Sequence, residues 1–326
     1  MHAFALEQGP DIASTIALGR TRGADYLAGG TDLLQLLKDD VRRPDMLVDL
    51  EGLGLDEISV GSDGVRLGAM ARMSDVADHP AIARDYPVIA EALLASAAPQ
   101  IRNLATMGGN LLQRTRCTYF RDIASPCNKR EPGSGCSAIE GHHRMHAIFG
   151  VSRNCIATNA SDLAVALVAL DATIHLSGPS GERSVPLVAF HLSPGDRPDI
   201  ETILQRGELI LAISVPGGAW TRRSHYLKVR DRASFEFALA SAAVALDLQD
   251  GIIRSARVAA GGVGTKPWRL NAVEEALTGA PATAETWSRA GELSADGAAP
   301  LRENRFTPRL LQNTVTRALE QAGGMA

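Results

Sequence analysis

The chain has 326 residues, of which 45% are apolar and 21% charged, and its formal net charge is −4. This length is sufficient for two domains. The acidic balance, with an isoelectric point near 6.1 and only 4% aromatic residues, argues against nucleic acid or an anionic membrane as a partner. No apolar stretch approaches the 18 residues of a membrane-spanning helix, so we expect no membrane insertion.

The N-terminal segment carries no recognisable export signal. It reads MHAFALEQGPDIAST and has neither a basic region followed by an apolar region nor a twin-arginine pair. We therefore expect the protein to have no signal of its own. It would stay in the cytoplasm or reach the periplasm bound to a partner that carries a twin-arginine signal.

The first fifty residues predict a compact unit of strands and helices. The predicted elements are a helix at 11–20 capped by Asp11, a strand at 25–30 ending in a Gly-Gly turn, a helix at 31–40 with Thr31 as N-cap, and a strand at 45–50. This order predicts a βαβ-like unit with a glycine turn at the start of its helix.

The remaining elements suggest a second domain after a break in composition. In chain order we predict a strand at 65–71, a helix at 87–97, a helix at 161–170 with Ser161 or Asp162 near its N-cap, strands at 172–178, 208–216, 225–230 and 237–248, a hairpin turn at Asp250-Gly251, a strand at 252–262, and a helical tail from about Leu270. The break at 216–224 places the predicted boundary near 218–223.

Two glycine turns, AGGTDLL at 28–34 and ATMGGNLL at 105–112, each open into a predicted helix. Glycine permits positive φ and close approach of a ligand, and a helix start offers N–H groups that suit a phosphate. Neither turn matches a dinucleotide or P-loop fingerprint. Each is therefore also compatible with an ordinary structural turn.

All four cysteines lie between residues 117 and 155, in a polar, loop-like segment. The intervals of nine, eight and eighteen residues lack the close pairs of a typical zinc site. Buried free cysteines, two disulfides and an iron–sulfur cluster remain as alternatives, and the spacing does not decide between them. Gly133 and Gly135 would permit tight wrapping, and Arg121, Lys129 and Arg130 would offset a cluster's negative charge.

Four separated motifs resemble one protein family. YLAGGTDLL, IRNLATMGGNLLQ, SDLAVALVALDA and YLKVRDRASFEFALASAAVAL occur in the order found in the FAD-binding medium subunit of the xanthine dehydrogenase/molybdenum hydroxylase family. The resemblance implies an α+β protein. Its FAD-binding domain would have two subdomains of the PCMH/VAO type and span 1–218, and a small C-terminal domain at 223–326 would combine an antiparallel sheet with helices.

The resemblance also implies which residues contact FAD. The first turn and the second would enclose the pyrophosphate, Asp162 would contact the ribityl region, and Lys228 would lie near the isoalloxazine carbonyl edge. Taken outside the resemblance, Asp162 is typical of a helix cap and Lys228 of a solvated strand end. The implied turn residues are Ala28, Gly29, Gly30, Thr31, Asp32, Thr106, Gly108, Gly109 and Asn110.

The cysteine segment, about 114–157, resembles an insert found in a smaller branch of the family, the flavoprotein subunit of bacterial periplasmic-type aldehyde oxidoreductases. There the corresponding cysteines bind a [4Fe-4S] cluster, which implies that Cys117, Cys127, Cys136 and Cys155 do so here. His142, His143 and His146 lie in the same segment. Since four thiolates already complete a cubane, we interpret these histidines as loop surface or outer-shell residues.

The implied function is electron transfer. An aldehyde would be oxidised at a molybdenum cofactor in a large subunit, and electrons would pass through a small [2Fe-2S] subunit to FAD in this chain and then to an external acceptor. The alternatives are a flavoprotein subunit of a xanthine, CO or hydroxybenzoyl-CoA type enzyme, a self-sufficient flavin oxidoreductase, and a non-redox zinc scaffold. The sequence contains no obvious catalytic triad or carboxylate pair, so we expect no substrate chemistry in this chain.

Overall fold

The structure is a computed structural model that describes residues 1–324. Within these residues the chain forms three β-sheets and fourteen helices. The strands are β1 Ala5–Gln8, β2 Ala24–Leu27, β3 Met46–Asp49, β4 Ile58–Gly61, β5 Gly64–Gly68, β6 Thr173–Gly178, β7 Gly181–Pro186, β8 Leu209–Pro216, β9 Ser224–Val229, β10 Ala240–Gln249, β11 Ile252–Gly261 and β12 Trp268–Arg269. The helices are α1 Ile12–Gly19, α2 Leu33–Lys38, α3 Met73–Asp78, α4 Pro80–Asp85, α5 Pro87–Ala95, α6 Pro99–Arg102, α7 Met107–Leu111, α8 Thr118–Arg121, α9 Ser137–Glu140, α10 Asp162–Ala169, α11 Leu187–Phe190, α12 Asn271–Leu277, α13 Ala284–Leu293 and α14 Thr307–Gly323.

The first sheet is parallel, with the order β1-β3-β2. It confirms the predicted βαβ unit, in which α2 connects two parallel strands after a glycine turn. The prediction that Thr31 caps α2 is wrong, because the helix begins one residue later, with Asp32 at the N-cap position. The Asp32 side chain makes no capping hydrogen bond, since its carboxylate is held by arginines elsewhere.

The second sheet is antiparallel, with the order β4-β5-β8-β6-β7. Its inner face contributes Leu67, Ile174 and Ile213, all fully buried, to the main hydrophobic core. Helices α3, α5 and α10 contribute to the same core. Every residue of α10 is buried, as expected of a helix that is apolar on all sides.

The third sheet is antiparallel, with the order β12-β11-β10-β9. The predicted hairpin turn between β10 and β11 is confirmed, and both of its central residues, Asp250 and Gly251, have positive φ. Strand β10 begins three residues later than the predicted start at Phe237. Helices α12, α13 and α14 supply the rest of this domain.

Strand β10 is buried on both faces, because successive side chains of a strand point to opposite sides. Ala243 and Ala245 belong to the main core with α10, whereas Val244 and Leu246 belong to the core formed with α14. The alanines let α10 approach the sheet closely. The two halves of the chain therefore share one continuous packed interface.

The cysteine-containing insert is mostly irregular, with two short helices, α8 and α9. At one end Phe120 and Cys127 pack with Leu36 and Val41 near α2. At the other end Ile148 and Phe149 enter the C-terminal core. The insert is thus packed against both halves of the chain. None of the helices in residues 1–324 is both long and apolar enough to cross a membrane.

Candidate functional site

The two glycine turns lie against each other. A Cβ added to Gly29 would stand 1.9 Å from the carbonyl oxygen of Leu104, just before the second turn, and one added to Gly109 would be 4.0 Å from the Ala28 Cβ. Gly30 has φ of +69°, which side chains disfavour. The absence of side chains at these positions allows the two turns to pack backbone to backbone.

The first turn exposes backbone donors. No acceptor within residues 1–324 receives a hydrogen bond from the N–H groups of Gly30 or Thr31. Because unpaired N–H groups are costly unless solvated or bound, such a turn is prepared for an anionic ligand. In the second turn, the Thr106 hydroxyl instead accepts from the Gly109 N–H at 3.2 Å and so caps α7.

Asn110 ties the second turn to helix α10. Its side-chain oxygen accepts a hydrogen bond from the Ser161 hydroxyl at 2.6 Å, and its amide nitrogen lies 3.3 Å from the Met73 sulfur. Ser161 in turn accepts from the Ala164 N–H at 2.9 Å, which makes it the N-cap of α10. The sequence offered Ser161 and Asp162 as alternatives for this cap, and the structure selects Ser161.

The Asp32 carboxylate points into the insert. It accepts hydrogen bonds from the Arg114 N–H at 2.8 Å, from the Arg121 guanidinium at 2.8 Å and from Arg116. Burial tends to raise the pKa of Asp32, but the charges of Arg116 and Arg121 and the Arg114 N–H outweigh burial and lower it. The structure therefore brings Asp32 together with the insert, a relationship that the sequence pattern did not reveal.

Asp162 and Lys228 meet in the interior. The Lys228 ammonium lies 2.7 Å from the Asp162 carboxylate and also donates to the Ala95 carbonyl at 3.2 Å. The side chains are 3% and 7% exposed for Lys228 and Asp162 respectively. The structure thus places them as a buried ion pair between α10 and β9, unlike the solvated strand end that Lys228 suggests when taken alone.

Two further side chains complete this polar group and were missed from the sequence. The Tyr226 hydroxyl donates to Asp162 at 2.6 Å, and the Ser96 hydroxyl donates to it at 3.0 Å. Burial, reinforced by the Asp162 charge, raises the pKa of Tyr226 well above its ordinary value, so the phenol remains protonated. Tyr226 lies two residues before Lys228 on β9, and this period-2 spacing was the available signal that they share a face.

All four cysteines line one small cavity. Their thiols are free, with Cys127 and Cys155 buried and Cys117 and Cys136 half-buried. A β-bridge joins Cys127 to Cys136. Within residues 1–324, no three His, Cys, Asp or Glu side chains are arranged to hold a single metal ion, which is the arrangement that a mononuclear zinc site requires.

Burial raises the pKa of two of the four thiols. It raises the pKa of Cys117 to about 11, with a further contribution from Cys127 and Cys155. Burial also raises the pKa of Cys155, although the positive charge of Lys129 opposes it. The Cys117 and Cys155 thiols are consequently protonated until a cationic partner compensates for the charge of the thiolates.

The basic residues of the insert have distinct partners. Buried Lys129 donates to Glu201 at 2.7 Å, and Arg130 donates to the Phe120 carbonyl at 2.7 Å. Together with Arg121, which binds Asp32, they brace the insert, and Lys129 is the one whose charge reaches a cysteine. Lys129 also lines a second cavity together with Leu111 and Leu112 at the end of the second turn, so the turn and the cysteines share a wall.

The loop between Cys127 and Cys136 turns at the two glycines where tight wrapping was predicted. Gly133 and Gly135 have φ of +89° and +105°. Their N–H groups donate to the Asn128 side-chain oxygen at 3.1 and 2.8 Å. Asn128 therefore closes the loop that carries Cys127 and Cys136.

The three histidines of the insert occupy different environments. The His142 side chain is 95% exposed. The His143 ring is buried and bonds to the Ala138 carbonyl at 3.2 Å and the Glu303 N–H at 3.1 Å. The His146 Nε2 lies 3.2 Å from the Cys117 Sγ, and burial lowers the His146 pKa to about 4.

Comparisons with known proteins identify the family. The family described as FAD binding domain in molybdopterin dehydrogenase matches residues 6–218, and the family described as CO dehydrogenase flavoprotein C-terminal domain matches residues 225–322. The chain belongs to the FAD-binding medium subunits of the molybdenum hydroxylase family.

Named relatives extend this assignment. The chain is 46% identical over 333 aligned residues to the aldehyde oxidoreductase FAD-binding subunit PaoB of Escherichia coli, with the whole of both chains covered. It is 30% identical to the glyceraldehyde dehydrogenase medium chain of Sulfolobus acidocaldarius, over 78% of this chain and 73% of that protein. The solved structure of reconstituted CO dehydrogenase from Oligotropha carboxidovorans matches the fold with a TM-score of 0.78 at 24% identity, covering 100% of this chain and 99% of that one.

The medium subunit binds FAD, and its first turn fits that cofactor. The unpaired N–H groups of Gly30 and Thr31 are suitable donors to a diphosphate. The missing side chain at Gly29 lets the second turn pack against the first, since a Cβ there would overlap the Leu104 carbonyl. The fold expected from the sequence, a FAD-binding domain followed by an α+β C-terminal domain, is confirmed.

Proposed function

We propose that this medium subunit is the electron-transfer flavoprotein of a molybdenum-containing aldehyde oxidoreductase. The full-length 46% identity to PaoB supports the aldehyde branch of the family. Oxidation of an aldehyde to a carboxylic acid consumes one water and releases two electrons and two protons. In the proposal this step takes place at the molybdenum cofactor of a large partner subunit, and a small [2Fe-2S] subunit passes the electrons to this chain.

The chain's own residues bind and orient FAD, which supplies the chemistry for taking up electron pairs and passing them to an external acceptor. In the proposal, residues 28–32 and the turn formed by Thr106, Gly108, Gly109 and Asn110 enclose the diphosphate. The free N–H groups of Gly30 and Thr31 support this assignment. Asp32 contributes backbone only, because its carboxylate is occupied by the insert arginines.

Asp162 and Lys228 are proposed to lie at the flavin end of the site. Their pairing at 2.7 Å holds a lysine charge inside the protein, where desolvation would otherwise disfavour it. A positive charge held there would stabilise negative charge on a neighbouring group. Tyr226 and Ser96 keep the Asp162 carboxylate oriented toward Lys228.

The four cysteines are proposed to bind a [4Fe-4S] cluster. The observation that carries this assignment is that all four line one cavity, although 38 residues separate the first from the last. In a cubane each thiolate bonds to a different iron, so the sulfurs surround the cluster and need not converge on one point. Free thiols, a loop closed by Asn128 and the nearby Lys129 charge fit this set of ligands.

Metal and flavin analysis of the purified complex tests the proposal. We expect one FAD in this chain, a [4Fe-4S] cluster with matching acid-labile sulfide, and molybdenum and additional iron in co-purifying partners. The visible spectrum should bleach with dithionite. A chain that contains zinc in place of iron, or that oxidises aldehydes without partners, would overturn it.

A cysteine variant separates the two cofactors. Cys136→Ser should lower iron and sulfide while leaving FAD bound, because Cys136 lies in the insert and not in either glycine turn. Ser137→Ala is a matched control that changes the adjacent residue, whose hydroxyl only donates to the Pro126 carbonyl at 2.9 Å. Loss of FAD with retention of iron in C136S would contradict the assignment.

The compartment is proposed to follow the partners. In the proposal the chain stays in the cytoplasm or is exported folded in a complex whose [2Fe-2S] subunit carries a twin-arginine signal. Fractionation of cells expressing this chain with and without the small subunit tests this dependence. Periplasmic recovery of the chain alone would contradict it.

A further inference from the structure

His146 stands apart from the other histidines of the insert because it contacts a cysteine. Its Nε2 lies 3.2 Å from the Cys117 Sγ, and the residue is 7% exposed. Its other ring nitrogen, Nδ1, is buried and has no hydrogen-bond partner among the described residues. The ring therefore directs its one polar contact at the sulfur.

The position of His146 is fixed from both halves of the chain. Its carbonyl accepts from the fully buried Asn304 side chain at 3.0 Å, and its N–H donates to the His143 carbonyl at 3.1 Å. The His146 carbonyl is thereby anchored to the C-terminal domain and its N–H to the insert. These contacts fix the backbone from which the ring projects, and burial of the residue limits rotation of the ring away from Cys117.

We propose that His146 is a positioning residue that donates its Nε2–H to the Cys117 sulfur and thereby raises the reduction potential of the [4Fe-4S] cluster. This inference rests on the cluster in the proposed function. A sulfur bound to iron has no proton to donate, so a hydrogen bond between these two atoms requires the nitrogen to be the donor. Donation to sulfur favours the more negatively charged reduced cluster, since hydrogen bonds to the sulfurs help to set its potential.

The same geometry argues against direct ligation of iron by His146. Four thiols already line the cavity, and the imidazole approaches the thiol of Cys117 from outside that set. His143 does not share this role, because both of its ring nitrogens are engaged by the Ala138 carbonyl and the Glu303 N–H. His142 is exposed, and its Nδ1 lies 3.6 Å from the Glu303 carboxylate.

Three variants of the full chain in its complex test the proposal. His146→Leu removes the donor with little change in volume, and His146→Gln retains an N–H donor. His142→Leu is the control, since it removes an exposed histidine of the same loop. The readout is the midpoint potential for one-electron reduction of the cluster in a dithionite titration, monitored by the electron paramagnetic resonance signal of the reduced cluster. The iron, sulfide and FAD contents of each variant are measured as well.

We expect H146L to keep four irons and its FAD but to lower the equilibrium constant for reduction about tenfold, which corresponds to about 59 mV for a one-electron couple. H146Q should recover most of this shift, and H142L should match the wild type. An unchanged midpoint potential in H146L overturns the inference about His146 but leaves the proposed function standing. Loss of iron in both H146L and H146Q would identify a ligand and also overturn it.

The failure of the proposed function has a different signature. In that case the wild-type chain itself would lack cluster iron and the corresponding resonance signal. If H146L were misfolded, it would lose FAD as well as iron. The midpoint potential of H146Q would then be compared with that of the wild type. A potential far below that of the wild type would contradict the inference, because Gln retains an N–H donor.

Discussion

The Lys228 ammonium lies 2.7 Å from the Asp162 carboxylate and connects strand β9 of the C-terminal domain to helix α10 of the FAD-binding domain. Both side chains are almost fully excluded from solvent. A buried pair of this kind adds little stability relative to apolar residues, but breaking it leaves an uncompensated charge in the interior. The chain is therefore stable only when the two domains are packed so that Lys228 and Asp162 are paired.

Replacing Lys228 by methionine should destabilise the chain strongly. Lys228→Met leaves the Asp162 charge buried with only hydroxyl donors, and we expect a loss of about 3–5 kcal/mol in the free energy of unfolding. Urea denaturation of the chain provides the measurement. Lys38→Met, which alters an exposed lysine at the end of α2, is the control. A loss in K228M no larger than that in K38M would show that the pair is not buried as described.

Gly29→Ala should disrupt the contact between the two glycine turns. The new Cβ would meet the Leu104 carbonyl oxygen at 1.9 Å, and relief of such overlap in a packed region costs about 1–3 kcal/mol. We expect lower FAD content and a lower unfolding midpoint. Gly61→Ala is the control, because its nearest atom, the Gly64 carbonyl oxygen, is 4.0 Å from the added Cβ. Normal flavin binding by G29A would exclude close packing of the turns.

Asp32→Asn should loosen the insert before it affects FAD. The change removes the charge that binds Arg116 and Arg121, and hydrogen bonds to charged groups contribute about 1.5–3 kcal/mol each. We expect faster proteolysis within residues 114–157 and reduced iron, with FAD retained. Asp39→Asn is the control, because Asp39 is exposed at the other end of helix α2. Loss of FAD with a protected insert would place the carboxylate on the cofactor instead.

His225 should make the interface between the domains dependent on pH near neutrality. Its Nδ1 lies 2.8 Å from the Glu91 carboxylate and its Nε2 lies 2.9 Å from the Gln321 side-chain oxygen. The neighbouring Glu91 carboxylate raises the pKa of His225 above its ordinary value of 6.5 despite partial burial. Its stabilising contribution is complete below about pH 6.5, the unfolded-state value, and is lost as pH rises through the higher folded-state value.

Urea denaturation at about pH 6 and about pH 9 measures this contribution. The wild type should lose more stability over that range than His225→Gln, which cannot be protonated. His2→Gln, at a largely exposed position, should behave as the wild type does. If the free energies of unfolding of the wild type and H225Q depended equally on pH, His225 would not contribute to the pH dependence of the interface.

Several helices and strands could be predicted from the residue pattern within each segment. Asp11 caps α1 as predicted, and its carboxylate accepts from the Ser14 N–H at 2.7 Å. The helix predicted at 87–97 spans Pro87–Ala95 and the strand predicted at 208–216 spans Leu209–Pro216. Each segment is rich in apolar residues, and a proline begins the helix and ends the strand. Four strands were missed. β1, β4 and β7 are mostly exposed, so no apolar alternation marks them, and β12 has only two residues.

The site could be predicted less completely. Motifs identified its residues, but not their partners. Asp32 lies in a turn that the pattern assigned to phosphate binding, while its carboxylate contacts Arg121, 89 residues away. Asp162 and Lys228 are separated by 66 residues. Such contacts depend on how the sheets and helices pack in three dimensions, and nothing in the local sequence around either residue specifies them.

The anchoring of Ile148 and Phe149 has a consequence for how the cysteine segment can be gained or removed. The Ile148 and Phe149 N–H groups both donate to the Val263 carbonyl, and the Phe149 ring stacks on Trp268 at 5.2 Å. These residues are therefore fixed parts of the C-terminal core. A clean excision of the segment would stop short of residue 147, because any longer cut would open a hole beneath strand β11. The dispensable portion is thus shorter than the stretch that its four cysteines mark, since Cys155 lies beyond Ile148 and Phe149.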